Sequence, residues 1–148
     1  MVWKPNVTVA AIIEQDGKFL LVEELTSQGL KLNQPAGHLE ANESLLEAVI
    51  RETREESAYV FEPQHLIGVY RWHANSTDTT FLRFAYSGRI LAHHVGQALD
   101  QGIVRTVWMT VEEIRTSASH HRSPLILQCV EDYLAGKRYP LELITHYD

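Results

Sequence analysis

The chain has 148 residues, 45% of them hydrophobic, which is typical of one globular domain with an ordinary core, so we expect residues 1–148 to form a single domain. Its formal net charge of −6 argues against a protein that holds nucleic acid on a broad basic surface. No signal-peptide core precedes the domain, and no apolar run approaches the ~18 residues of a membrane span, so we expect a cytoplasmic protein without a membrane partner. One cysteine, Cys129, excludes an internal disulfide, and we expect its thiol to be buried.

The predicted strands come first in chain order. The turn signal Asp16-Gly17 follows the first strand, so residues 18–24 should return antiparallel to it. Residues 26–43 have the composition of a loop, with a short strand expected near residues 30–32. Elsewhere, β-branched and aromatic residues predict strands at residues 6–15, 65–74, 80–91 and 103–110.

The C-terminal part predicts two helices, over residues 110–117 and 123–136. Thr110 and Glu113 have the spacing of a capping box, which begins a helix. In the other helix Ser123 fits the N-cap, Pro124 the first helical position and Gly136 the C-terminal cap. Helices mixed with hairpins predict an α/β fold in which helices cover a mixed sheet.

The first predicted helix carries the main functional signal. It begins with another capping box, formed by Ser44 and Glu47. Its apolar stripe should pack on the sheet and consists of Leu45, Leu46, Val49, Ile50 and Thr53. On the same helical wheel, one border of the stripe is acidic, within an arc of about 100°, and holds Glu52, Glu55 and Glu56.

Two interpretations of this acidic border are open from the helix alone. A hard divalent cation would turn the repulsion among the carboxylates into coordination, as Mg²⁺ sites do. The border is otherwise an ordinary solvated face, on which Arg51 pairs with Glu47 and Glu55 at i±4 spacing.

The surrounding residues favour the metal site. The segment GHLEANESLLEAVIRETREESAY, residues 37–59, resembles the Nudix box: a Gly, five residues, a Glu, seven residues, then Arg-Glu-apolar-x-Glu-Glu-x-Gly-apolar. Three positions depart from the pattern, namely Thr53, Ala58 and Tyr59, and Ala58 replaces a glycine that would take a positive φ at lower cost. The matching residues stand at all the required spacings and are Gly37, Glu43, Arg51, Glu52, Glu55 and Glu56.

Shorter segments extend the resemblance to residues 4–142. They resemble the NudJ-type phosphatase branch of Nudix hydrolases and are NQPAGHLE (33–40), FLRF (81–84), RSPL (122–125) and RYPLE (138–142). The resemblance implies the Nudix fold, an α/β/α sandwich with a central mixed β-sheet. It also implies Mg²⁺-dependent hydrolysis, with Mn²⁺ as a substitute, of nucleoside tri- and diphosphates and of thiamine-pathway pyrophosphates.

The resemblance also implies roles for individual residues. The metal ligands would be Glu52, Glu55, Glu56 and the carbonyl of Gly37. Glu52 or a nearby acid such as Glu55 would help to deprotonate the attacking water, and Arg51 would orient the acids by pairing with Glu43 or Glu55.

Substrate contacts are predicted outside the box. Asp100 is the candidate for an additional acid from a loop, or an ordinary turn residue. Trp72 could stack on a base or belong to the core, and Arg83 and Arg122 are candidates for phosphate contacts. The paired histidines, 93–94 and 120–121, are expected on the surface.

Other activities remain open at this point. The same fold could hydrolyse ADP-ribose or dinucleoside polyphosphates, or could sense a nucleotide without cutting it. All the box glutamates are retained, which favours an enzyme over a sensor. The expected partner is a small nucleoside phosphate or pyrophosphate, and the chain is expected to be a monomer or a homodimer.

Overall fold

The computed structural model describes the whole chain, Met1–Asp148, as eight strands and three α-helices. The strands are β1 Asn6–Ile12, β2 Glu14–Gln15, β3 Lys18–Thr26, β4 Gly29–Asn33, β5 Ala36–His38, β6 Tyr59–Ala74, β7 Thr79–His93 and β8 Ile103–Met109. The helices are α1 Leu45–Ser57, α2 Val111–Thr116 and α3 Leu125–Leu134, with short 3₁₀ turns at Ala118–His120 and Leu141–Leu143. None of the helices is both long enough and apolar enough to cross a membrane.

The strands form two hydrogen-bonded sheets. The first has the order β5-β1-β7-β6 and is mixed, since β1 and β7 run parallel while the other pairs are antiparallel. The second is antiparallel and places β3 between β4 and β8, with β2 forming a hairpin with β3 through the predicted Asp16-Gly17 turn. The predicted α/β fold with a mixed sheet is therefore confirmed, although the strands divide into two sheets.

Helices cover both faces of the strands. Successive residues of β1 point to opposite faces, so its apolar run is buried on both sides. One core cluster joins Ile12 to α3, through Ile126, Cys129 and Val130. The other joins Val9, Ala11 and Ile13 to α1, through Ala48 and Val49. This layering is the predicted sandwich, and Cys129 is buried as expected.

The helix starts follow the sequence closely. Ser44 Oγ accepts from the Glu47 N–H at 3.1 Å, while Glu47 Oε1 accepts from the Ser44 N–H at 2.9 Å. Thr110 and Glu113 form the same reciprocal pair at α2. Both predicted capping boxes are confirmed, because four consecutive residues hold both partners.

Helix α3 differs by about one residue from its prediction. Pro124 is the N-cap and Leu125 begins the helix, although the Ser123 hydroxyl still accepts from the Leu125 N–H at 3.1 Å. The last helical residue is Leu134, and Gly136 takes the expected left-handed conformation with φ +85°.

One expectation about packing and one about a strand boundary were wrong. Ile50 was placed in the buried stripe of α1 but is 37% exposed, and the smaller Ala48 is fully buried in its place. The strand predicted over residues 65–74 is longer than expected, since β6 begins at Tyr59. It contains Pro63, a residue that argues against a strand. The strand accommodates Pro63 with a register shift between Pro63 and His65.

Candidate active site

The acidic edge of α1 lies beneath strand β5. Glu52 is nearly buried, and Gly37 crosses directly above it: a Cβ at Gly37 would stand 2.1 Å from Cδ of Glu52. Only glycine therefore fits there without moving the carboxylate. Glu56 is partly buried, and its Oε1 accepts from the Ala36 N–H at 2.9 Å.

Arg51 ties this edge to the loop before the helix. Its Nη1 donates to Glu52 Oε1 at 2.8 Å and to Glu55 Oε2 at 3.2 Å. Its Nε and Nη2 bond both oxygens of Glu43, at 3.0 and 2.8 Å, and Nη2 also donates to the His38 carbonyl. Arg51 thus pairs with Glu43 and Glu55, as the resemblance implied. It does not pair with Glu47, whose carboxylate caps the helix.

A loop distant in sequence brings another acid to the edge. The Asp100 N–H donates to the Glu55 carbonyl at 3.0 Å. One carboxylate oxygen each from Glu52, Glu55 and Asp100 lie within 4.8 Å of one another. Nearby, Gln97 Nε2 donates to the Arg54 carbonyl at 2.9 Å. The loop therefore closes the C-terminal end of α1 and presents Asp100 to the acidic group.

The electrostatics of the edge favour a bound cation. Burial raises the pKa of Glu52, and the Arg51 guanidinium opposes that rise. Burial raises the pKa of Glu56 to about 8, and the negative charges of Glu52 and Glu24 add to the effect. Hydrogen bonding to Arg51 lowers the pKa of Glu43. The side chains at this edge are all carboxylates, whose hard oxygen atoms are ligands that Mg²⁺ and Mn²⁺ prefer. The residues present therefore fit such a metal.

A cleft of about 700 Å³ opens beside this edge. It is lined by predicted site residues from five parts of the chain, namely Gly37, Glu52, Glu56, Trp72, Arg83 and Arg122. Asp100 and Glu55 do not line it. Asp100 was predicted as an additional acid from a loop and as a candidate substrate contact, and the docking of its loop on α1 places it with the acidic group.

Arg83 lies on the floor of the cleft. It is only 5% exposed, and its Nη1 and Nη2 donate to Gln34 Oε1 at 2.8 Å and to Asn33 Oδ1 at 3.0 Å. Both acceptors are neutral amides. Arg83 makes no ion pair, because all the ion pairs of the structure are made by other residues.

Other predicted contacts line the walls of the same cleft. Trp72 stacks against Phe81, its partner across the β6–β7 hairpin, with ring centroids 5.7 Å apart. Arg122 is half-exposed, with Nε 3.8 Å from Glu24 Oε1. Trp72 therefore belongs to an aromatic pair at the cleft, and Arg122 is loosely held at its rim.

The sequence missed several cleft residues. His121 was expected on the surface, but it is partly buried in the cleft wall and its Nε2 lies 3.3 Å from Ser117 Oγ. Asn33, Gln34 and Lys31 also line or support the cleft. Asn33 and Gln34 begin the segment NQPAGHLE and precede Gly37, the first residue of the Nudix box. The sequence signal that could have identified them is a polar pair directly after a predicted strand.

Comparisons with known proteins agree with this geometry. Residues 3–129 match the model of the NUDIX domain, so the chain belongs to the Nudix hydrolase family. It is a hydrolase that acts on phosphoric anhydride bonds, as predicted, and this family generally uses divalent metals and acts on small nucleoside phosphates.

The similar proteins are Nudix enzymes over nearly the full chain. The Phosphatase NudJ of Escherichia coli (strain K12) is 42% identical over 146 residues, which cover 99% of this chain and 94% of that protein. The Phosphatase NudJ of Shigella flexneri matches to the same extent. A solved NUDIX hydrolase from Nitrosomonas europaea is 52% identical, with a TM-score of 0.95, and the match covers 97% of this chain and 98% of that one.

Proposed function

We propose that this chain is a Mg²⁺-dependent phosphatase that releases orthophosphate from nucleoside tri- and diphosphates and from thiamine-pathway pyrophosphates. The observation that carries the proposal is the group of carboxylates on α1, gathered by Arg51 beside a cleft with a cationic floor. The likeness to the two NudJ phosphatases supports this choice within the family.

The metal site consists of Glu52, Glu55, Glu56 and the carbonyl of Gly37, with Asp100 contributing from its loop. These oxygens suit Mg²⁺, and Mn²⁺ as a substitute. When bound, the cation neutralises phosphate oxygens and lowers the pKa of water.

The protein's own groups orient the reaction. Arg51 holds Oε1 of Glu52, which leaves Oε2 free to accept the proton of the attacking water. The water oxygen forms a bond to the terminal phosphorus as the anhydride P–O bond breaks. The terminal phosphoryl group becomes orthophosphate, and the shortened phosphate ester leaves with the bridging oxygen and its electron pair. Glu55, held by the same guanidinium, is the other candidate base. Arg51 itself acts by positioning these carboxylates.

The cleft holds the rest of the substrate. Arg83 and Arg122 contact phosphate oxygens, and Trp72 offers an aromatic surface to the base. The partner is thus a small nucleoside phosphate or pyrophosphate, rather than nucleic acid or a membrane. A single domain over residues 1–148, a cytoplasmic location and a monomeric or homodimeric state stay predictions.

A substrate panel tests the proposal. Release of orthophosphate and of the other hydrolysis products is measured by anion-exchange chromatography from nucleoside tri- and diphosphates, thiamine diphosphate, ADP-ribose and a diadenosine polyphosphate, with Mg²⁺ and with EDTA. We expect release from the first three classes only with Mg²⁺, and its loss in Glu56→Gln. The matched control is Glu142→Gln, since Glu142 is exposed and lies outside the cleft.

Each other outcome has a defined meaning. Preferred cleavage of ADP-ribose or of the diadenosine compound would replace the phosphatase with a different hydrolase of the same fold. Nucleotide binding without cleavage of any compound would contradict the enzyme and leave a nucleotide sensor.

A further inference from the structure

We propose that Arg83 forms a phosphate subsite on the cleft floor, and that Asn33 and Gln34 keep its positive charge free by holding it with neutral amides. The inference rests on the proposed function, because it takes the ligand to be a diphosphate or longer polyphosphate ester. It goes further in giving positioning roles to two residues outside the Nudix box.

Arg83 is a buried cation without a counter-charge beside it. A guanidinium that is 95% removed from solvent normally has a carboxylate beside it, because an uncompensated buried charge is strongly destabilising. Arg83 has only amide oxygens and the Cys129 sulfur, whose Sγ lies 3.9 Å from Nη1. The fold therefore maintains an uncompensated cation where the cleft can supply an anion.

The guanidinium of Arg83 has N–H donors that the protein does not use. A guanidinium carries five N–H bonds, and the two amides and the weak sulfur contact occupy three of them at most. Nε of Arg83 has no acceptor in the protein. Every fully buried side-chain nitrogen or oxygen has a hydrogen-bond partner, so Nε cannot be fully buried. The Nε–H is therefore open, and the cleft is the space that Arg83 lines.

Hydrogen bonds fix the orientation of the amides that hold Arg83. Gln34 is 1% exposed, and its Nε2 donates to the Ile126 carbonyl of α3 at 2.9 Å. Its Oε1 must then face Arg83. The Asn33 amide oxygen accepts from Nη2, the other terminal nitrogen, so both terminal nitrogens of the guanidinium are hydrogen-bonded. Glutamate or aspartate would accept the same bonds but would cancel the charge.

The strand register places the subsite between the two ends of the cleft. Arg83 of β7 lies opposite Thr8 of β1, and Thr8 lies opposite His38 of β5. With strands about 4.8 Å apart, the Arg83 backbone stands roughly 10 Å from β5, where Gly37 covers Glu52. Phe81 is two residues away on the same face of β7, about 7 Å along the strand. A phosphate on Arg83 would lie between the carboxylates and the aromatic pair.

The test is the change Asn33→Asp, compared with Gln28→Glu. Asn33→Asp keeps the acceptor for Arg83 and adds a negative charge 3.0 Å from it. Gln28→Glu adds the same charge at an exposed position of the cleft without contacting Arg83. Binding of imidodiphosphate, a diphosphate that resists hydrolysis, is measured by calorimetry in EDTA.

We expect Asn33→Asp to weaken imidodiphosphate binding by about tenfold or more, because a charge-assisted contact is lost. Its melting temperature should not fall, because Arg83 gains an ion pair. Gln28→Glu should weaken binding by less than about threefold, as exposed charges are well screened. Wild-type affinity in Asn33→Asp, or an equal loss in both variants, would overturn the proposal.

A second measurement uses the unmodified protein and does not depend on any variant for its result. The Arg83 Nε–H resonance, assigned by its absence in Arg83→Lys, should shift when imidodiphosphate is added in EDTA. No shift at saturating ligand would also overturn the proposal. Neither experiment requires hydrolysis, so the phosphatase can fail in the substrate panel while this subsite stands, or the reverse.

Discussion

The two ends of α1 satisfy their free backbone groups in different ways. At the N-terminal end, Ser44 and Glu47 bond each other's N–H groups within one turn. At the C-terminal end, Ala58 takes a left-handed conformation, and a loop some forty residues later covers the last carbonyls. Gln97 bonds the carbonyl of Arg54, and Asp100 bonds that of Glu55.

The difference shows where this helix carries its chemistry. The first end is capped by Ser44 and Glu47 alone, and neither of them is a site residue. The second end combines a strained residue with a distant loop, and the carboxylates of Glu52, Glu55 and Asp100 meet there. The N-terminal end follows the residue preferences for helix capping, whereas the C-terminal end, beside the site, places a non-glycine residue in a left-handed conformation. Departures from local preferences are expected in functional regions.

The largest expected effect is a difference in kcat between variants of two glutamates in α1, Glu52 and Glu47. Glu52→Gln should lower kcat for nucleoside triphosphate hydrolysis by about 10³-fold, because the proposed proton acceptor and metal ligand is lost. Glu47→Gln should leave kcat within about twofold and lower the free energy of unfolding by less than about 1 kcal/mol, since glutamine also serves in a capping box. Steady-state kinetics and urea unfolding give both quantities. An equal loss of kcat in the two variants would contradict the separation.

The same comparison explains what could be predicted from sequence. Both capping boxes, the Asp16-Gly17 turn and the acidic border of α1 depend on residues within a few positions of each other. Helical and turn geometry alone therefore places them. The same holds for Gly136, whose φ of +85° follows from its position after a helix.

The parts that could not be predicted depend on long-range register. Arg83 meets Gln34 and Asn33 across 49 and 50 positions. His121 enters the cleft wall because residue 121 forms a bridge with Leu32. No local pattern specifies these pairings. Asp100 was identified as a candidate acid, but only the docking of its loop on α1 decides which group it joins.

A smaller effect is expected from the loop that closes α1. Gln97→Ala removes the bond to the Arg54 carbonyl and should weaken Mn²⁺ binding by about 3- to 10-fold, because it loosens the loop that presents Asp100. In an Asp100→Asn background the same change should have little effect, since the carboxylate that the loop positions is no longer there. Free Mn²⁺ is followed by electron paramagnetic resonance.

The neighbouring Gln101 provides the control for this cycle. It is exposed and makes no side-chain hydrogen bond, so Gln101→Ala should leave Mn²⁺ affinity unchanged in either background. If Gln97→Ala weakened binding equally with and without Asp100, Gln97 would support the end of the helix in general rather than the position of Asp100.

The smallest expected effect compares two buried alanines, Ala48 inside α1 and Ala58 at its left-handed end. Ala48→Gly should lower the free energy of unfolding by about 1.5–2 kcal/mol, from lost helix propensity and a lost buried methyl group. Ala58→Gly loses a similar methyl group but removes a backbone conformation that costs about 1–2 kcal/mol for a non-glycine residue. In urea unfolding, its free energy of unfolding should therefore be equal to that of the parent or higher by up to about 1 kcal/mol. If Ala58→Gly were as destabilising as Ala48→Gly, the left-handed residue would carry no strain. The two ends of the helix would then differ only in their partners.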